Sequence, residues 1–73
     1  MAEQQTIIHP NVRHGTHLTL GSFVILGEPP RGTQSGELAT FLGDHALIRS
    51  HTVIYAGNRI GHHFQTGHGV MIR

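Results

Sequence analysis

Cysteine is absent from the 73 residues, which excludes disulfide stapling and thiolate metal sites. Charge is sparse as well: five Lys/Arg against four Asp/Glu leave a net +1 with no basic cluster, and only three Phe and one Tyr are available for stacking. That combination lacks the electrostatic footprint of a nucleic-acid binder. No apolar run approaches transmembrane length, and Met1-Ala2-Glu3-Gln4-Gln5 is polar where a signal peptide carries an apolar core. The chain therefore reads as cytoplasmic, with neither nucleic acid nor membrane as a partner. A single domain is all that this length permits, and it buries too little apolar surface to be secure alone, so self-association is expected.

What is abundant is glycine, and it is periodic. Gly15, Gly21 and Gly27 stand six apart, and Gly43, Gly61 and Gly67 fall on a second stretch of the same comb. The residues just before the comb positions read Ile8, His14, Leu20, Leu26, Leu42, Ile48, Ile54, Ile60, Thr66 and Ile72, and eight of these ten are aliphatic. A second column, four residues further on, reads Val12, Leu18, Val24, Ala46, Thr52, Asn58, Phe64 and Val70. Two inward positions per six residues match short flat strands, and neither a helical period nor simple alternation accounts for both columns. Glycine between them suits a corner where the chain turns with an unusual φ or passes close to the coil above. A six-residue period is the mark of a hexapeptide-repeat solenoid, an all-β fold with three hexads to each triangular coil.

On that reading residues 8–25 supply about one coil and residues 42–73 a little under two. The segment from Glu28 to Phe41, with its Glu-Pro-Pro-Arg-Gly and Gln-Ser-Gly turns, breaks the period and leaves the solenoid wall as a loop of about 28–41. Its Pro29-Pro30 pair stiffens the exit, which suits either a preformed arm or an inert surface loop. Ile72-Arg73 begins a hexad that is not completed, so the single domain 1–73 reads as a piece of a longer repeat domain, the other reading being that another chain covers its open end.

Eight histidines are the second unusual feature: His9, His14, His17, His45, His51, His62, His63 and His68. His45 and His63 are one coil apart and should stack at about the 4.8 Å strand spacing. His63 and His68 cross a repeat boundary and should sit on neighbouring walls. His14 falls in an inward column and reads as a core or interface residue, while His9 and His17 read as solvated. His51 and His62 are corner positions without an evident partner. His68, between Gly67 and Gly69, has the most permissive backbone and the best claim to meet a ligand. Asn58, polar in an inward column, reads as part of an inward-facing amide ladder.

The segments Val24 to Gly32, Ile48 to Gly57 and Ile60 to Arg73 resemble the left-handed parallel β-helix acyltransferases, closest to the sugar-modifying acetyltransferases. The resemblance runs from Ile7 onward. It implies left-handed coils, a homotrimer with active sites between subunits, acetyl-CoA as donor and an amino or hydroxyl group of a sugar or nucleotide-sugar as acceptor. Acetyl transfer needs a base near the acceptor and a donor for the developing oxyanion. By resemblance His68 is the base, His63 a weaker alternative, and Gly67 and Gly69 let the backbone approach the thioester. Members of that family continue for several more coils, which complete the CoA groove.

Two other functions fit the same residues. Three histidines shared across a trimer boundary would make a zinc site of the γ-carbonic-anhydrase kind, from His45, His63 and His68, with an open fourth position for water. A repeat that only assembles, without catalysis, is the other.

Overall fold

In a computed structural model the described residues are 5–73, so most of the polar amino-terminal stretch lies outside them. Those residues are all-β, without a helix, and every strand pairing is parallel. Nine short strands occur: β1 (Ile7–Ile8), β2 (Val12–His14), β3 (Thr19–Leu20), β4 (Ile25–Glu28), β5 (Thr40–Leu42), β6 (Leu47–Ile48), β7 (Val53–Tyr55), β8 (Arg59–Ile60) and β9 (Met71–Ile72). The chain visits three sheets in rotation. The first sheet is β1-β4-β7-β9, the second β2-β5-β8 and the third β3-β6, extended by a parallel bridge between Leu47 and Gln65.

Register explains the sequence columns. Ile7 pairs with Ile25 and Val53 with Met71, each eighteen residues on, so one circuit of the three sheets takes three hexads. Pairings that cross the loop are longer by ten: Val12 with Thr40, Thr19 with Leu47 and Ile25 with Val53. The excursion thus adds ten residues to a circuit and replaces none of it. Its bounds are also narrower than the broken period suggests, because Glu28 still pairs with Tyr55 in the first sheet and Thr40-Phe41 already pair with the second.

Both columns face inward. Val24, Leu26, Leu42, Ala46, Ile48 and Ile54 form the buried core, flanked by Val12, Leu18, Leu20, Ile60, Phe64 and Ile72. The insertion hid one member: Thr40 takes the second-column place between Val12 and Asn58, and its hydroxyl is buried with no hydrogen-bond partner. Burial is deepest in the middle circuit, since each circuit is covered only by its neighbours. At the two rims Ile7, Ile8 and Met71 remain about half exposed. His14, in the first circuit, is exposed for the same reason rather than packed in a core, and its Nδ1 lies 2.8 Å from the Gly15 carbonyl oxygen. Asn58 stands in no amide ladder; it donates from Nδ2 to the Tyr55 carbonyl (2.8 Å).

Of the two reasons for glycine at the comb, close approach is the one that applies most widely. A Cβ on Gly21 would sit 2.7 Å from the Ser50 nitrogen, and one on Gly43 2.7 Å from the His62 nitrogen, both backbone atoms of the next circuit. Of the comb glycines Gly27 does have an unusual φ (79°); elsewhere that φ falls two residues later, on side chains: His17 (59°), Phe23 (59°), His45 (60°), His51 (61°) and His63 (61°), with Asn11 (65°) at the remaining corner. Asn and His tolerate this left-handed region better than most residues. Four of the eight histidines therefore take the left-handed corner conformation.

The excursion, residues 29–39, is turned by Thr33 N–H to Pro30 O (3.0 Å) and Glu37 N–H to Gln34 O (3.0 Å). It folds back over the first circuit. Asn11 Nδ2 donates to Gly36 O (3.3 Å), and His9 Nδ1 lies 2.8 Å from Ser35 Oγ while its Nε2 lies 3.3 Å from Glu28 Oε1. His9 is thus half-buried and pinned, not solvated.

Candidate functional site

Two corners between the sheets collect the chemistry-bearing side chains. Each corner is a short column, because residues one circuit apart lie over one another at strand spacing.

The first corner lies between the second and third sheets. Here the expected His45–His63 stack is present, with ring centroids 5.0 Å apart and planes within 1°. It is longer than the sequence suggested: His17 stacks on His45 at 4.8 Å and 10°. The ten-residue insertion separates His17 from His45 by twenty-eight positions, so the eighteen-residue period did not reveal it. Beside the ladder runs a second column, Thr16, Asp44 and His62. Thr16 N–H donates to Asp44 Oδ1 (2.8 Å), and Asp44 N–H donates to His62 Nδ1 (2.7 Å). The Thr16 N–H bond is the main reason the Asp44 carboxyl is held below its ordinary range; partial desolvation opposes it, and the charges of His62 and His45 reinforce it. Asp44 Oδ2 also lies 3.8 Å from His62 Nδ1. That nitrogen is the one that accepts the Asp44 N–H.

The second corner, between the third and first sheets, carries Ser22, Ser50 and His68 in one column and Phe23, His51 and Gly69 in the other. Phe23 and His51 stack at 5.1 Å. His68 Nδ1 lies 2.8 Å from Ser50 Oγ, on an exposed corner. No atom outside the immediate chain comes within 4 Å of a Cβ built on Gly67 or Gly69, so the space over both glycines is open. Gly69 N–H is spent on the Ser50 carbonyl (2.9 Å), and the Gly67 carbonyl accepts from Thr52 Oγ1 (3.2 Å).

The structure therefore brings His45 and His63 together and sets His68 on the next corner, beside Ser50. Within one chain His45, His63 and His68 do not converge, and no group of three His, Cys, Asp or Glu among the described residues could hold a metal ion. Parallel stacking also spreads the ladder's nitrogens along the column instead of turning them to one point. What the second corner can do is acid–base chemistry. If Ser50 Oγ accepts the Nδ1 proton, Nε2 of His68 is left as the basic nitrogen; in the other tautomer it is not. Ser50 as the group that orients His68 was not visible from spacing alone, although it stands eighteen residues before it.

Comparison with protein-family models, with curated proteins and with solved structures gives no match for this chain.

Proposed function

We propose that this chain is a left-handed parallel β-helix of the hexapeptide-repeat kind, and that it is an acetyl-CoA-dependent acetyltransferase, or part of one, acting on an amino or hydroxyl group of a sugar. The observation that carries the reading is the Ser50–His68 pair, 2.8 Å apart on an exposed corner with open space over Gly67 and Gly69. Rotation through three parallel sheets with an eighteen-residue circuit supports the solenoid. The co-substrate would supply an activated acetyl thioester. His68 Nε2 would take the proton from the acceptor as its oxygen or nitrogen attacks, and Ser50 would hold the ring in the tautomer that leaves Nε2 free. His63, stacked on His45 with one ring face engaged, is the weaker candidate for that role.

Assembly belongs to the same proposal. The outward column of the first sheet is apolar throughout: Ile7, Ile25, Val53 and Met71, register partners in successive strands. Ile7 is 49% exposed and Met71 57%. An apolar stripe of this kind is the surface a homotrimer would bury.

Calorimetric titration of acetyl-CoA into the metal-stripped oligomer tests the reading. Saturable binding near one site per subunit is expected, with turnover of an acceptor sugar lost in His68→Ala and the oligomeric mass unchanged. A folded oligomer that takes up no acetyl-CoA, or a His68→Ala variant of normal activity, would overturn it. Activity restored by zinc and lost on chelation would point instead to a hydratase.

A further inference from the structure

A third place in the molecule collects charge without partners. A cavity of about 380 Å³ opens where the excursion leaves the first sheet, lined by Pro30, Arg31, Tyr55, Ala56 and Arg73. Its walls combine two guanidinium groups with an aromatic ring, a proline and a methyl group. The Arg73 guanidinium lies over the Tyr55 ring, 5.8 Å from its centroid.

Among the described residues no side-chain carboxylate lies within ion-pair distance of Arg31 or Arg73. The carboxylates within ion-pair distance of a basic side chain are those of Glu28 and Asp44, and both face histidines. Glu28 is the register partner of Tyr55 and the acid nearest the cavity in the sheet, but its carboxylate is drawn to His9 Nε2 (3.3 Å) on the circuit below. The excursion thus does two things with one fold-back: it holds Glu28 and Ser35 around His9, and it brings Arg31 into the lining of a cavity shared with Arg73. Two unpaired guanidinium groups bordering a concave apolar floor match a doubly charged anion attached to a flat body, since the planar donor fork of arginine binds phosphate oxygens in pairs. Ring contact with Pro30, Tyr55 and Ala56 supplies the remaining surface.

We infer that this cavity is a binding site for a small phosphate monoester carried on a flat apolar ring. The inference is independent of the transferase proposal, which rests on His68 at another corner. Tyr55 is the only tyrosine in a chain without tryptophan, so its fluorescence reports this cavity alone. Phenyl phosphate is the probe, titrated into the intact chain with calorimetry alongside. Saturable quenching or enhancement is expected, weakened at least tenfold in Arg31→Gln and in Arg73→Gln, and weakened by added salt. Both substitutions are at exposed positions, and an unchanged far-ultraviolet dichroism spectrum will confirm that the fold is kept. Phenol and inorganic phosphate should each bind at least tenfold more weakly than phenyl phosphate. No response to phenyl phosphate, equal binding by the arginine variants, or benzoate or phenol binding as tightly as phenyl phosphate would each overturn the inference.

Discussion

Replacing comb glycines with alanine one at a time should give opposite results at positions that look identical in the sequence. At Gly21 the new Cβ would meet Ser50 N at 2.7 Å, Ser50 Cα at 3.1 Å and Arg49 C at 3.2 Å. At Gly43 it would meet His62 N at 2.7 Å and Gly61 C at 2.8 Å. These are backbone atoms of the next circuit, so no rotamer change relieves them, and the circuits must part by several tenths of an ångström. Overpacking of this kind costs about 1–3 kcal/mol. Gly61 and Gly67 occupy the same comb position in the last circuit, where nothing lies within 4 Å of the added carbon, and neither has a left-handed φ. There alanine only restricts the unfolded chain, which stabilises by about 0.4–1 kcal/mol. Gly21→Ala and Gly61→Ala should therefore differ by roughly 1.5–4 kcal/mol. With a urea slope of about 1 kcal/mol/M for a chain of this size, the midpoints should separate by more than 1 M. Urea unfolding followed by far-ultraviolet dichroism at neutral pH measures this directly. If Gly61→Ala loses as much stability as Gly21→Ala, close approach of the next circuit is not what selects glycine at the comb.

Three further outcomes are expected. Thr40→Val removes a buried hydroxyl that has no partner while keeping its shape, so thermal unfolding should show a gain of about 1 kcal/mol; a loss would mean that the hydroxyl is satisfied. Ile54→Ala, at a fully buried core position of the third circuit, should cost about 2–5 kcal/mol, whereas Met71→Ala at the 57% exposed rim should cost well under 1 kcal/mol by chemical denaturation. Because the Asp44 carboxyl is held below its ordinary range, chiefly by the Thr16 N–H, its contribution is complete above the unfolded value near pH 4 and is lost as pH falls through the lower folded value. Asp44→Ala should therefore flatten the acid limb of the stability profile below about pH 4, and a limb unchanged from the parent protein would refute that role.

The corner histidines illustrate how sequence and structure divide the information. The His45–His63 stack was legible because both residues lie in the unbroken part of the repeat, where the position of one circuit follows from the last. His17 belongs to the same stack at 4.8 Å, yet reading it required knowing that the loop adds ten residues. The same insertion concealed Thr40 as a core position and Glu28 as a member of the first sheet. Spacing marked out His68, but not Ser50 as its partner, because the pairing depends on which side chains share a corner after stacking.

The sequence by itself determined the two inward columns, the eighteen-residue circuit and the all-β character, since these follow from a local period repeated until only one way of burying it remains. Tertiary structure alone decided three other things. It put the left-handed φ on His17, Phe23, His45, His51 and His63, and on no comb glycine but Gly27. It folded residues 29–39 back onto His9 and Asn11. It also left Arg31 and Arg73 lining one cavity with no side-chain carboxylate in ion-pair range among the described residues. Each of these rests on contacts between circuits, made by residues eighteen or more positions apart, and such contacts are set by how far the loop displaces one circuit relative to the next.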